Sequence, residues 1–536
     1  MDNRETQGDA EHRKPISPRR RSRIVRILIG GGLVILGGWL VVKPLIVERM
    51  SERLLEAQSK PPVDVPVVGL SPDFTADQRA MYSISFGGPF AAGKVIDNVV
   101  DAKDKRFCAV LLEMLMANEI EPPIVGVGVK AHLDALLLLA ESPELNESEF
   151  SMPIYRRFAE WYARTNLEPP PGYSGWKGRV LGRIDSVYRE IFTDDVESTI
   201  RVEEVCASGE GFYGVPALDR PRLLDASNAT YLEPTDPVYG LVVDDHSCAY
   251  PARIIEWHDI VNGTLGEAAV TVARCPWSNA TIAYRGNTSD QGVHTFGPSG
   301  LVYRGNSLMW DRETRSLWPH MSGRPVIGPL ATSDVELQRL PLVLTTWDRW
   351  KTLHPDTKVV DLNTGYRRDY ETYGPRSSHH QNRDVDFPVA FVNRTLPPKQ
   401  MVFGLRVNEQ SKAYPVQTLV SQGITNGSIG GKGVVIVAPA ESIEVIGREQ
   451  VAPSLYEEFR YALGAELRAY ERDDHEFHAG ESSVSLIDDN GDAWTITEHR
   501  LIGDNGETLP RVSGIQAYWY SWHVLHPTTS VAGQDE

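Results

Sequence analysis

The chain is poor in cysteine, and its cysteines are not paired in sequence. The 536 residues contain four of them, Cys108, Cys206, Cys248 and Cys275, and no two lie within three positions of each other. This spacing excludes a CxxC zinc half-site and a dithiol redox motif. Four cysteines are also too few for a disulfide scaffold in a chain of this length.

Catalytic signatures and excess positive charge are absent as well. The sequence has no HExxH, P-loop or GxSxG motif. The net charge of −18 disfavours a nucleic-acid partner, because an acidic surface repels phosphate backbones. The acidic stretch 488–492 resembles a calcium loop, but Ala493 stands where such a loop requires glycine. We interpret it as a hairpin turn, and we assign no metal ligands and no cofactor.

One long uncharged run lies near the amino terminus. Residues 27–42 carry no charge and are bracketed by Arg26 and Lys43. Sixteen residues are short of the ~20 that span a bilayer, but both bracketing side chains can extend to the lipid headgroups. A cleaved signal peptide is the alternative, but no small-residue cleavage site follows. We therefore predict a transmembrane helix over 24–48.

The charges around this run predict its orientation. Basic residues are concentrated at 13–26 and are sparser at 43–60. Positive flanks stay in the cytoplasm, so the amino terminus is expected inside and the body outside, in the periplasm of a Gram-negative cell. We expect 1–23 to be a disordered cytoplasmic tail. Residues 49–73 should form a juxtamembrane helix and a proline-bearing linker.

The next segment, 74–195, has a helical pattern. Apolar residues recur at helical spacing in 107–116 and 131–140, and prolines at 122, 123 and 143 mark stops. These features predict a small helical domain with a spacer or docking role.

The remainder of the chain contains an internal similarity. Residues 238–251 (VYGLVVDDHSCAYP) match 402–415 (VFGLRVNEQSKAYP), and WxxWxxLHPxT occurs at 347–357 and again at 519–529. The landmarks follow in the same order. We therefore predict two copies of one module, at 196–385 and 386–536, packed together. The fold class expected is α+β, mainly β.

Within each copy the pattern predicts a hairpin, a short helix and further strands. In the first copy the hairpin covers 238–250, the helix 253–260 and the next strand 268–273. Asn262-Gly263 is a typical turn signal and is expected between the helix and that strand.

Residues kept in both copies are expected to hold the fold, which includes His354 and His526. Residues present only in the first copy are the better candidates for function. These are Cys248, Trp257, His258, Cys275, Trp277 and His294.

Cys275 ends a predicted strand and precedes a proline, so we expect it to be exposed in a loop. A pair with His258 or His294 would activate its thiol for catalysis. A disulfide with Cys248 and an unpaired structural thiol are the alternatives. Trp257 and Trp277 are the predicted binding residues.

These residues resemble a known group. Tyr250-Pro251, the segment EWHDIVN at 256–262, Cys275-Pro276, Phe296-Gly297 and the segment DRET at 311–314 are similar to the prokaryotic domain of unknown function 3179. The resemblance covers roughly 196–530. The family pattern at the loop is Cys-Pro-Leu-Cys, whereas Trp277 and Ser278 stand here in the last two places. The resemblance implies an exported or membrane-anchored protein and brings no established activity.

The sequence thus favours a membrane-anchored extracytoplasmic protein that acts as a binding or scaffold module. The alternative is a thiol- or metal-dependent enzyme centred on the Cys275 loop. The expected partners are the membrane, through the anchor, and a protein or small molecule of unknown identity.

Overall fold

The computed structural model describes residues 73–534 apart from 121–128, 143–144, 146–153, 210, 213, 289–291, 375, 391–392 and 453–454. Within it, Thr75–Glu536 forms one compact unit. The predicted tail, transmembrane helix and linker (1–72) lie outside the described residues. Among the helices that are described, none is both long and apolar enough to cross a membrane.

The amino-terminal part of this unit is helical, as the sequence predicted. Its helices are α1 (Ala76–Phe86), α2 (Gly88–Asp101), α3 (Cys108–Ile120), α4 (Val129–Ala140), α5 (Ile154–Ala163), α6 (Tyr173–Leu181) and α7 (Tyr188–Ile191). Thr75 and Gln78 begin α1 with a reciprocal capping box. Between α3 and α6 a buried Lys177–Glu113 ion pair joins the two helices.

The first half of the β-rich body follows. Its elements are β1 (Val205–Ala207), β2 (Leu218–Asp219), β3 (Leu223–Asp225), β4 (Pro237–Val243), β5 (His246–Pro251), α8 (Ala252–His258), β6 (Ile260–Leu265), β7 (Ala268–Cys275), β8 (Ala280–Arg285), β9 (Asn287–Thr288), β10 (Gly292–Val293), β11 (Phe296–Tyr303), β12 (Asn306–Asp311), β13 (Leu317–Pro319), β14 (Arg339–Leu340), β15 (Leu342–Thr346), α9 (Trp347–Leu353) and β16 (Lys358–Val360).

The second half begins after a short connecting helix, α10 (Ser377–Gln381). Its elements are β17 (Met401–Val407), β18 (Gln410–Pro415), α11 (Val416–Gln422), β19 (Ile424–Ile429), β20 (Lys432–Val437), β21 (Ser442–Ala452), β22 (Leu455–Ala465), β23 (Arg468–Glu471), β24 (Phe477–Ala479), β25 (Ser485–Asp488), β26 (Ala493–Ile496), β27 (Arg500–Gly503), β28 (Thr508–Val512), β29 (Gly514–Tyr518), α12 (Trp519–Leu525) and β30 (Ser530–Val531).

One sheet arrangement occurs in both halves. In the first half the strand order is β15-β4-β5-β16, continued by β3, and in the second it is β29-β17-β18-β30. In each, the outer pair on one side is antiparallel and that on the other side is parallel. Both hairpins turn through two residues in left-handed conformation, at 244–245 and 408–409. That turn matches the right-handed twist of the strands.

A tryptophan lies across the central hairpin of each of these sheets. Trp350 packs on Gly240 and donates to the hydroxyl of Thr357 at 2.9 Å. Trp522 packs on Gly404 in the same way, and donates to Thr529 at 3.0 Å. A mixed α/β chain with a helical amino-terminal region and a β-rich body is therefore confirmed. The domain boundaries at 195/196 and 385/386 stay predictions.

The expected turn at Asn262-Gly263 is wrong. Both residues lie inside β6, and the chain turns instead at Gly266, which has a φ of 60°. The side chain of Asn262 instead joins strand β6 to the first residue of β11. Its amide donates to the Phe296 carbonyl at 2.7 Å and accepts from the Phe296 N–H at 3.1 Å. Asn426 makes the same pair of bonds with Phe477.

The contact between Gly240 and Trp350 predicts a large cost for one added methyl group. A Cβ at position 240 would lie 2.2 Å from a ring carbon of Trp350. We expect Gly240→Ala to lower the free energy of unfolding by about 2–3 kcal/mol, since the packed core has no space to relax.

Urea unfolding of the full-length protein, followed by tryptophan fluorescence, measures this change. Gly93→Ala is the matched control, because an added Cβ there meets no atom within 4 Å. In helix α2 it should stabilise by about 0.5–1 kcal/mol. Equal unfolding midpoints for Gly240→Ala and the wild type would contradict the packing.

Candidate functional site

The Cys275 turn, residues 275–279, connects β7 to β8 and is closed rather than open. Cys275 is fully buried. Its Sγ accepts the backbone N–H groups of Ser278 and Ser307 at 3.4 and 3.3 Å. The expectation of an exposed thiol is therefore wrong. The hydrogen bonds that the sulfur already accepts, together with its burial, leave it no approach from solvent.

The second half of the body covers this turn, which explains the burial. The Tyr518 N–H donates to the Ser278 carbonyl at 2.8 Å. The hydroxyl of Tyr520 donates to the Trp277 carbonyl at 2.6 Å. Strand β29 and helix α12 therefore close over a turn that belongs to the first half. Because the covering residues belong to the second half, the sequence around Cys275 does not indicate that the turn is buried.

His258 lies in a different group of residues. Its Nδ1 donates to the Pro216 carbonyl at 2.8 Å, so its Nε2 accepts from the Tyr370 hydroxyl at 2.6 Å. Burial lowers the pKa of His258. Among the residues that the structure describes, no hydrogen bond joins Cys275 to His258 or to His294. The hydrogen bond that would activate the Cys275 thiol is therefore not among the described contacts, and a catalytic role of the three residues stays a prediction.

The disulfide alternative also fails, because Cys248 and Cys275 are both free thiols. Burial raises the pKa of Cys248 to about 12, which keeps the sulfur protonated and unreactive at neutral pH. Cys108 and Cys206 are buried as well, and burial raises the pKa of each to about 12. Of the three readings of Cys275, the unpaired structural thiol fits the geometry.

The two tryptophans predicted to bind a ligand are half-buried and contact their own chain. Trp257 donates to the Thr372 carbonyl at 3.2 Å, and Arg368 lies over its ring. Trp277 packs edge-on against His379 and Phe387, with ring centroids 5.2 and 4.8 Å away. Segments between the two halves therefore cover both rings.

A buried ion pair holds the strand before the Cys275 turn against helix α8. Arg274 and Glu256 pair with both side chains buried, which joins β7 to helix α8. Arg274 also donates to the Asn279 side chain at 2.8 Å, across the turn. Asn279 donates in turn to the Ala462 carbonyl of the second half at 3.0 Å. Burial raises the pKa of Glu256, and the adjacent Arg274 opposes that rise.

A polar cluster that the sequence pattern does not single out lies beside Trp277. His379 pairs with Asp386, and its Nε2 donates to the Trp277 carbonyl at 2.9 Å. The Lys399 ammonium lies 2.7 Å from the His379 carbonyl and 3.5 Å from the Asp386 carboxylate. Burial and the charge of Arg156 lower the pKa of Lys399 to about 7. The Ser-Ser-His-His run at 377–380 is the sequence feature that could have pointed to this cluster.

His294 has a counterpart, which corrects its selection as a residue of the first copy alone. It lies beside Phe296, Asp311 and Trp318, and the indole of Trp318 donates to Asp311 at 2.7 Å. In the second half the same contacts join His475, Phe477, Asp488 and Trp494. The spacing between these residues differs in the two halves, so direct alignment at one offset misses the match. The hairpin turn predicted at 488–492 is confirmed.

Two cavities differ in what they can hold. The one beside the Cys275 turn, lined in part by Arg274, Trp277 and His320, has a volume of about 20 Å³. That is room for a single water molecule. A groove of about 270 Å³ lies between the helical region and the β-rich body. Its lining includes Met116, Tyr155, Cys206, Ala207, Ser208, Gly209, Asp386 and Phe387.

Burial of all the cysteines predicts the outcome of a thiol titration. We expect native full-length protein to release almost no chromophore from Ellman's reagent within minutes. After unfolding in guanidinium chloride it should show four thiols, because all four are free and buried. Cys275→Ser should show the same native behaviour and three thiols when unfolded. A fast native reaction that this variant loses, or only two thiols after unfolding, would contradict the structure.

The comparisons with known proteins give one family. A family model described as a protein of unknown function (DUF3179) matches residues 213–529, more than half of the chain. No curated protein and no solved structure matches this chain. The match agrees with the resemblance of the Tyr-Pro, Cys-Pro and Phe-Gly motifs. The chain belongs to the DUF3179 family of proteins of unknown function.

Proposed function

We propose that the chain is a membrane-anchored binding module whose body, from about residue 48 onward, lies outside the cytoplasm. The uncharged run at 27–42 and its basic amino-terminal flank support the anchor and its direction. The net charge of −18 supports a partner other than nucleic acid.

The binding role rests on the groove of about 270 Å³. Ligand pockets have volumes of roughly 300–1,000 Å³ and mainly apolar walls. The groove is close to that range, and Met116, Tyr155 and Phe387 give it an apolar and aromatic lining. Asp386 adds a carboxylate, which Lys399 and His379 contact. We infer a small ligand that combines an aromatic or apolar body with polar groups.

The geometry does not favour the alternative of a thiol-dependent enzyme. The Cys275 sulfur is buried, and a cavity of about 20 Å³ next to its turn holds no substrate. A nucleophile needs a base within hydrogen-bond reach and space for the reacting carbonyl or disulfide. His258 has both ring nitrogens engaged elsewhere.

We also propose that the two halves of the body arose by duplication. Three observations support this proposal. The sheets share one strand order, the tryptophan–glycine contact occurs twice, and the two histidine–aspartate–tryptophan groups have the same contacts.

A bulky residue in the groove tests the binding proposal. The probe is 1-aminoanthracene, a neutral fluorescent aromatic amine of suitable size and polarity. We expect saturable binding at one site per full-length chain, and we expect Ser208→Trp to abolish it by filling the groove. Ser428→Trp is the control, because Ser428 is exposed on strand β19, outside the groove lining. Unchanged binding by Ser208→Trp, or none by the wild type, would reject the groove as the ligand site.

Protease accessibility tests the topology. In intact spheroplasts of the expressing cells, added protease should digest the body and leave an epitope tag at the amino terminus protected. After detergent lysis, both should be digested. Protection of the body until lysis would show the opposite orientation or a location inside the cell.

A further inference from the structure

The side chain of His294 is buried without a hydrogen-bond partner. It is 2% exposed, and neither Nδ1 nor Nε2 forms a hydrogen bond. Its backbone is held in place, since its N–H donates to the Gly286 carbonyl at 2.9 Å. Leaving a buried polar group unpaired costs about 1–3 kcal/mol. An imidazole with both nitrogens unpaired therefore points to a partner that is not a protein group.

Asp311 faces this imidazole at a distance that suits a shared ion. Its Oδ1 lies 3.7 Å from the His294 Nδ1, which is too long for a hydrogen bond. Two ligands on one tetrahedral Zn²⁺, with bonds of about 2.0–2.2 Å, lie roughly 3.3–3.6 Å apart. The Oδ1 accepts the Thr314 N–H and retains a further lone pair. The other oxygen, Oδ2, accepts from the Thr314 hydroxyl and from the Trp318 indole, both at 2.7 Å.

Glu313 is the third candidate ligand, and it is the one that is exposed to solvent. One ligand atom from each of His294, Asp311 and Glu313 lies within 4.8 Å of the others. Glu313 is exposed, and its carboxylate is held by the N–H and hydroxyl of Thr295 at 2.9 and 2.8 Å. One imidazole nitrogen with two carboxylate oxygens is a donor set that Zn²⁺ and Mn²⁺ accept. A bound ion would take water molecules in its remaining positions.

The equivalent place in the second half serves as an internal comparison. His475, Asp488 and Asp489 also have ligand atoms within 4.8 Å of one another. There, however, the His475 Nδ1 lies 2.9 Å from Asp488, and its Nε2 lies 3.3 Å from Glu507. Burial lowers the pKa of His475, but Glu507 and Asp488 more than offset this, so its pKa lies above the ordinary value. Both ring nitrogens of His475 thus face carboxylates of the chain itself, whereas neither ring nitrogen of His294 forms a hydrogen bond.

We propose that His294, Asp311 and Glu313 form a site for one divalent transition-metal ion, Zn²⁺ or Mn²⁺, in the first half only. The ion connects the segment before β11 to the turn after β12. The site is separate from the groove, so a test of this proposal does not depend on the binding function proposed above.

Calorimetric titration of EDTA-stripped full-length protein with Zn²⁺, and separately with Mn²⁺, tests the site. We expect one tight site in the wild type for at least one of the two ions, absent in His294→Ala. Glu313→Gln should weaken it by about tenfold or more. Since Glu313 is exposed, that variant is expected to fold even if His294→Ala does not.

His475→Ala is the matched control and should retain the tight site. No tight binding of either ion by the wild type would overturn the proposal. It would also be overturned if His294→Ala or Glu313→Gln bound as tightly as the wild type, or if only His475→Ala lost the site.

Discussion

The buried ion pair between Arg274 and Glu256 is the interaction on which the position of the Cys275 turn depends. Two charges removed from water require each other, and removal of one partner from such a pair costs about 3–5 kcal/mol. Arg274 also binds Asn279, which reaches across to the second half. The pair therefore fixes a helix, a strand and the Cys275 turn in one arrangement. The contacts from Tyr518 and Tyr520 are possible only once that turn is fixed.

Local features of the fold were predictable from the sequence because they depend on neighbouring residues. The alternating run at 238–243 and the two acidic residues after it determine the first hairpin, and the structure has it there. The repeated tryptophan motifs predicted fold-holding contacts. Trp350 and Trp522 make those contacts with glycines more than 100 positions away. The repetition indicated that the tryptophans hold the fold, but it did not indicate which residues they contact.

The candidate site was predicted less well, because burial of a loop depends on distant segments. A strand end followed by proline is usually exposed, yet Cys275 lies beneath residues 240 positions further along the chain. Asn262-Gly263 has the composition of a turn, but the Asn262 side chain is used to hold Phe296. The cluster of His379, Asp386 and Lys399 has no fixed spacing that a motif search would find.

The position of Tyr518 and Tyr520 has a consequence for the order in which the chain is made. Both close over a turn that is synthesised about 240 residues earlier. On a growing chain the Cys275 turn therefore lacks this cover until Tyr518 and Tyr520 have emerged. A chain that ends before Tyr518 never covers it. The burial of one sulfur thus reports that Tyr518 and Tyr520 are in place, and a reactive thiol reports a chain without their cover.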